Sequence, residues 1–326
     1  MESRIKETLT QFFASHSKAK YIFFGGKGGV GKTVFAGATA LHLAEQGKKV
    51  LLASTNPVHS LSSLLCQNVF GNETQVTGTS LMAVEIDTKD TILKKKHEIR
   101  EKIEWFLKYA DISGQKTEDF VESATMNPAF EESAMFERMV DLMFENKYET
   151  YVFDTAPTAN ARRLLGMSKV YTLWVEKMLA SRNEATSLKK ALSFTKETEK
   201  DPLLDYLLTF RERIDKVHGL LTDPQLTAFF FVTLPEALPI AVIKRFIGWF
   251  EDFGIPVGGV IVNGLIDRAS VTDQTHEFVT NRIASQEKYM EDIYRSFPDV
   301  RAIMPRLDHE IQGVAKMKET FQYLFR

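Results

Sequence analysis

The chain has 326 residues, 44% of them hydrophobic and 26% charged, with a formal net charge of −2. That composition suits a globular chain with one large α/β domain and an insert, or two domains, and it gives no general field favouring nucleic acid or an anionic membrane surface. No apolar run approaches the roughly 20 residues that cross a bilayer, and the single cysteine, Cys66, leaves no disulfide framework and fits a reducing cytoplasm.

The first 20 residues lack the apolar core and cleavage site of a secretory signal. They read as a short amphipathic helix with Ile5, Leu9, Phe12 and Phe13 on one side. Next comes a short apolar run, Tyr21-Ile22-Phe23-Phe24, which predicts a strand. It leads into Gly25-Gly26-Lys27-Gly28-Gly29-Val30-Gly31-Lys32-Thr33, followed by an alanine-rich helical segment from Phe35 to Gln46. Gly26, Gly31, Lys32 and Thr33 fit G-x-x-x-x-G-K-[ST] completely, and strand, glycine loop and helix form the context that gives this pattern a mechanism. Glycines allow successive backbone N–H groups to turn inward around phosphate oxygens, and the helix N-terminus adds partial positive charge. Lys32 is expected at the β/γ phosphates and the Thr33 hydroxyl on Mg2+.

A continuous apolar strand, Val50 to Ser54, ends in Thr55-Asn56-Pro57-Val58-His59-Ser60-Leu61-Ser62. Cys66, after Leu64 and Leu65, is expected to be a small buried apolar residue. Leu81 to Asp87 is a third strand. From residue 91 to 149 the pattern turns helical and charged, with Ile99, Ile103, Phe106 and Leu107, then Met135, Met139, Leu142 and Met143, at helix spacing. The strand Thr150–Asp154 follows. An aspartate at the carboxyl end of an apolar strand, after a phosphate loop, is placed to hold Mg2+ directly or through water, so Asp154 joins Thr33 as a candidate metal ligand. A second helical block runs from 164 to 221. The two blocks are too long for simple crossovers and read as one inserted subdomain, 91–149 with 164–221, beside a core of 1–90, 150–163 and 222–326. Strands at Thr227–Thr233, Val257–Val262 and Val300–Met304, a helix at Ile240–Phe250 and a terminal helix at Val314–Leu324 complete the chain. The fold class is therefore α/β, a P-loop NTPase with a mostly parallel sheet.

The second lysine of GKGGVGKT, Lys27, resembles the deviant Walker A group. That group contains the arsenite-pump ATPase, the tail-anchored-protein targeting ATPase, the septum-site and partition ATPases and the nitrogenase iron protein. STNPVHSLS at 54–62, DTAPT at 154–158, Asn263 after its strand, and Pro305 to Gly313 narrow the resemblance to the arsenite-pump and tail-anchored-targeting ATPases. It implies ATP and Mg2+ as cofactors and a homodimer in which Lys27 touches the phosphates on the partner subunit. It implies that Asn263 reads the adenine edge and that the loop opening at Pro305 closes over the base. The family's aspartate, which orients or deprotonates the attacking water, is Asn56 here. Asparagine cannot take up a proton but can orient water, so slow hydrolysis is expected, with a nucleotide-gated adaptor of negligible turnover as the alternative. In the second switch, Ala159, Asn160 and Ala161 replace the family's glycine, histidine and threonine. In the targeting ATPase the helical subdomain forms an apolar groove for a client's transmembrane helix, so a hydrophobic client or membrane-protein partner is a further expectation. Met135, Met139 and Met143 could line such a groove or pack as core. His276 and Val279 stand where the eukaryotic targeting ATPase has C-x-x-C, so no dimer-bridging zinc is expected. His276 is expected as a solvated helix histidine. One cysteine per chain argues strongly against an iron–sulfur cluster at a dimer axis and leaves a metalloid thiolate site short of sulfur.

Overall fold

The computed structural model describes residues 4–55, 60–109, 128–155, 202–270 and 276–326. Asn56, residues 156–162 of the second switch and the block 164–201 lie outside the described residues. Eight strands are present among those described: β1 (Tyr21–Gly25), β2 (Val50–Ser54), β3 (Thr74–Gln75), β4 (Met82–Glu85), β5 (Thr150–Asp154), β6 (Thr227–Thr233), β7 (Val257–Leu265) and β8 (Val300–Pro305). They form one sheet in the order β3-β4-β2-β5-β1-β6-β7-β8. All pairs are parallel except the short β3, which runs antiparallel to β4.

The strands are apolar nearly throughout because both sheet faces are covered, as parallel sheets require. Alternate residues serve opposite cores. Ile22 and Phe24 of β1 join Val50, Leu52, Val152, Phe230 and Val232 on one face. Tyr21 and Phe23 join Leu51, Ala53, Phe153, Phe229 and Phe231 on the other. On that second face Phe23 stacks between Phe153 and Phe229, with ring centroids 4.9 and 4.2 Å away. Flat contacts of this kind across three central strands add roughly 0.5–1.5 kcal/mol each beyond area burial.

The first face is covered by α1 (Leu9–Ser15), α2 (Lys32–Glu45), α3 (Ser60–Leu65), α9 (Gly313–Glu319) and α10 (Phe321–Leu324). Helix α2 is buried almost all round, with Phe35, Ala36, Ala38, Ala40, Leu41, Leu43 and Ala44 inside. Small residues allow this close packing. At Gly37 a Cβ would lie 2.8 Å from a Leu64 methyl and 3.1 Å from Met317 Sδ. The second face carries α5 (Pro128–Glu145), α7 (Ala237–Asp252) and α8 (Glu277–Ser296). Helix α4 (Thr88–Tyr109) packs on α5, and α6 (Pro202–Thr222) reaches the sheet through Leu221. No helix among the described residues is long and apolar enough to cross a membrane.

Five expectations change. The N-terminal apolar residues do not share one side: Thr8 caps a helix that starts only at Leu9. Leu9 and Phe12 enter the first core, whereas Ile5 packs against the second. The chain passes round the β8 edge between them, held by the buried Arg301 on Glu7. Cys66 is exposed rather than buried. It follows the last residue of α3 with φ +51°, a left-handed turn that carries its side chain away from Leu64 and Leu65. Strand β7 continues past Val262 to Leu265, so Asn263 lies within it, because Leu265 still pairs with Pro305. The terminal helix is two helices, since the buried Thr320 turns its hydroxyl onto the Met317 carbonyl at 2.6 Å. Finally, β3 is an added edge strand too short to leave a periodic signal. His276 is exposed and caps α8, its Nδ1 accepting from the Phe278 N–H at 3.1 Å.

Met135, Met139, Leu142 and Met143 are all buried within the second core; of the two readings left open for the methionines, core packing is the one realised. Met143→Ala is therefore expected to cost about 2–5 kcal/mol, the usual range for emptying a core site. It would be read as a lower urea midpoint at unchanged slope. A loss near zero would place Met143 on an open face instead.

Candidate functional site

The loop between β1 and α2 takes backbone conformations that only glycine tolerates at its two ends. Gly26 has φ +146°, and a Cβ there would sit 2.4 Å from the Val232 carbonyl oxygen. Gly31 has φ +99°, and a Cβ would meet the Asn263 amide nitrogen at 2.6 Å. Between them Gly28 and Gly29 are exposed, with nothing within 4 Å of where a side chain would begin. The loop is thus gripped at both ends by β6 and β7 and exposed along its middle, where backbone amides could cradle an anion. Val30 is buried beneath it, and its carbonyl accepts the Asn263 Nδ2 proton at 2.9 Å.

Lys32 is buried, and its ammonium donates to the Lys27 carbonyl at 3.2 Å. Burial lowers its pKa, against the opposing pull of the Asp154 charge. Lys27 itself is half-buried in the loop.

Below the cradle lies a second cluster. The register of the sheet aligns Glu85 of β4, Ser54 of β2, Asp154 of β5 and Phe24 of β1 in one row near the carboxyl ends of the strands. Asp154 is wholly buried. Its Oδ2 accepts the Thr33 hydroxyl at 2.7 Å and the Ser54 hydroxyl at 3.1 Å. Its Oδ1 is buried and has no hydrogen-bond partner among the described residues. Burial drives its pKa up, resisted by the Thr33 hydrogen bond and the Lys32 charge. A carboxylate held this way costs free energy at neutral pH, and an orphan acceptor beside a threonine hydroxyl suits a hard cation that takes oxygen ligands. Mg2+ fits this donor set, because it commonly uses one carboxylate or hydroxyl plus phosphate oxygens and water. No group of three His, Cys, Asp or Glu side chains able to hold a metal occurs among the described residues.

Asn263 and Pro305 stand on neighbouring strands at the same edge of the sheet as the loop. The backbone after Asn263 is clamped by the buried Gln286 of α8, whose Oε1 accepts the Ile266 N–H at 3.0 Å and whose Nε2 donates to the Gly264 carbonyl at 3.2 Å. The structure therefore gathers Gly26, Lys27, Gly28, Gly29, Val30, Gly31, Lys32, Thr33, Asp154 and Asn263 in one region, with Pro305 beside it. Asn56 lies outside the described residues. Three residues that build the region were given no role from the sequence. Ser54 opens STNPVHSLS, and Gln286 stands in Gln286-Glu287-Lys288-Tyr289, a stretch resembling the family's Q-x-K-Y, yet neither was assigned a contact. Glu85 had a signal, a charged residue inside the apolar run LMAVEID.

The buried charge sets an expectation. Asp154→Asn should leave the melting temperature of the nucleotide-free protein unchanged or raise it, because the strained charge goes while both hydroxyl bonds keep an acceptor. It should also abolish any added stabilisation by Mg2+ with ATP. Thermal melts with and without Mg2+ATP check both parts.

Comparison with known proteins agrees with this geometry. The profile of the anion-transporting ATPase family matches residues 19–326. A protein of Aquifex aeolicus named as arsenical pump-driving ATPase 2 is 31% identical over 308 residues, covering 94% of this chain and 99% of its own. ATPase GET3A of Arabidopsis thaliana is 28% identical over 327 residues, covering 98% and 87%. ATPase ASNA1 homolog 1 of Paramecium tetraurelia is 27% identical over 338 residues, covering 100% and 98%. With a glycine loop seated between β1 and α2, a buried acidic strand end under it, and a match over nearly the whole sequence, the chain belongs to the anion-transporting ATPase family.

Proposed function

We propose that this chain binds Mg2+ATP on the loop Gly26–Thr33 and hydrolyses it slowly as a cytoplasmic homodimer. The observation that carries the reading is the Thr33–Asp154 pair beneath a glycine loop exposed at Gly28 and Gly29, with Asp154 Oδ1 without a partner among the described residues. Thr33 and Asp154 would hold the cation, Asp154 directly or through water. The bound cation supplies charge neutralisation at the phosphates. The loop amides and Lys32 bind and orient the phosphate chain, and the low-dielectric setting of Lys32 makes its positive charge count for more than in water. Lys27 is proposed to reach a nucleotide on the partner subunit and tie dimer closure to charge stabilisation. Asn263, pinned on Val30, would join adenine recognition to the loop, and the backbone from Pro305 would cover the base.

Asn56 stands where an aspartate would take the proton of the attacking water, and an amide can only orient that water. This one substitution also favours a second reading, a nucleotide-gated adaptor with negligible turnover. Residues 91–149 and 164–221 are proposed to respond together to nucleotide state. Any apolar client would meet exposed residues such as Leu93 of α4 and Leu208 of α6, since the methionines of α5 are spent on the core. The arsenical named for the Aquifex relative is not carried over, because one thiol per chain is short of a trigonal thiolate site.

Phosphate release by the purified chain beside Asn56→Asp tests the enzymatic reading. Restoring a general base is expected to raise turnover by about a hundredfold, the low end of what such a group contributes. Measurable wild-type turnover removes the adaptor reading, and an unchanged rate in Asn56→Asp removes Asn56 as the brake. Lys27→Ala is expected to weaken ATP-dependent dimerisation seen by light scattering; a dimer that forms equally well without this lysine would refute its role across the interface.

A further inference from the structure

Glu85 ends β4 and is 1% exposed. Both its oxygens engage one short stretch of chain. Oε1 accepts the Leu61 N–H at 3.1 Å and Oε2 accepts the Ser62 hydroxyl at 2.6 Å, while Ser62 Oγ accepts the Val69 N–H at 3.3 Å. The first turn of α3 is thereby fastened to the sheet edge next to β2. The residue just before Leu61 is Ser60, and its hydroxyl lies 3.3 Å from Thr33 Oγ1. Thr33 has a single hydroxyl proton, and that proton goes to Asp154 Oδ2. With the Thr33 proton directed at Asp154, the Ser60 hydroxyl is the group able to donate in the Ser60–Thr33 pair, toward a Thr33 lone pair.

A buried carboxylate is a poor way to gain stability, since its desolvation offsets most of what its bonds return. Its value here lies in direction. Glu85 sits two strands from Asp154 in the same register row, so the residue that bonds Thr33 from below and the residue that steers it from the side are referenced to one sheet. We propose that Glu85 is a positioning residue for the metal-binding hydroxyl of Thr33: by holding Leu61 and Ser62 it fixes the Ser60 hydroxyl against Thr33, and so fixes the lone pair that faces the cation. The proposal rests on the reading of Thr33 and Asp154 as the holders of Mg2+. Glutamine at 85 keeps the length but turns one acceptor into a donor facing Ser62; alanine at 62 removes that bond and leaves Glu85 in place.

The test is a titration of ADP-loaded protein with Mn2+, followed by the loss of free-ion EPR signal. Residues that orient a ligand cost about 10- to 100-fold in metal affinity when changed. Glu85→Gln is accordingly expected to weaken Mn2+ binding about tenfold and Ser62→Ala about threefold. ADP affinity measured in EDTA should stay within about twofold of wild type in both. The proposal is overturned if Mn2+ affinity is unchanged in both variants. It is equally overturned if metal-free ADP affinity falls in parallel, or if the melting temperature drops with Mn2+ affinity intact, since either outcome describes a purely structural strap. Should Glu85→Gln fail to fold, Ser62→Ala decides alone. A wild-type protein that takes up ADP but no Mn2+ would overturn the metal reading itself, and this proposal with it.

Discussion

The hydrogen bond from Thr33 to Asp154 joins the two halves of the site, and the rest of the arrangement follows from making it possible. Thr33 lies in the first turn of the helix after the glycine loop, and Asp154 ends a strand separated from it by more than a hundred residues. The bond can form only because β5 lies directly beside β1 and stops in register with Phe24. Burying a carboxylate there is unfavourable: its pKa rises, and one oxygen remains without a hydrogen-bond partner. Folding must overcome that cost through the apolar surface around it, and the two cores do so. The site is a strained point carried by a well-packed sheet, which is a common relation between stability and function.

Position in the sheet also explains how distant segments reach one edge. With seven strands parallel, their carboxyl ends face the same way, so Gly25, Ser54, Asp154, Thr233, Leu265 and Pro305 close their strands on one side of the sheet. Ligands of open α/β sheets bind in that location for this reason. Gly26 against Val232 and Gly31 against Asn263 are the contacts by which the phosphate loop is held between two of those strand ends.

Much of this was legible from the amino acids. The central strands are continuous apolar runs, so their existence, though not their order, could be read from Tyr21–Phe24, Val50–Ser54, Thr150–Asp154 and Thr227–Thr233. The phosphate loop was legible because glycine spacing encodes backbone conformation directly. Asp154 was legible because a charge closing a buried strand is costly unless a cation or hydrogen bonds compensate it. What stayed hidden depends on neighbours. Asn263 was expected beyond its strand, but pairing with β8 extends β7 past it. Cys66 looked apolar by composition, and a left-handed turn exposes it. The clamps made by Gln286 and Glu85 are tertiary contacts between segments about 20 residues apart, and no local period announces them.

The fit of α2 has a mechanical consequence. Its start carries the phosphate loop, its flanks are buried against three strands, and Gly37 leaves no clearance toward Leu64 or Met317. Any closer approach of α2 at this point would have to displace the Leu64 and Met317 side chains first. The glycine at 37 and the run of alanines beside it therefore set how near α2 lies to its neighbours, and a larger residue at 37 would be felt first at Leu64 and Met317.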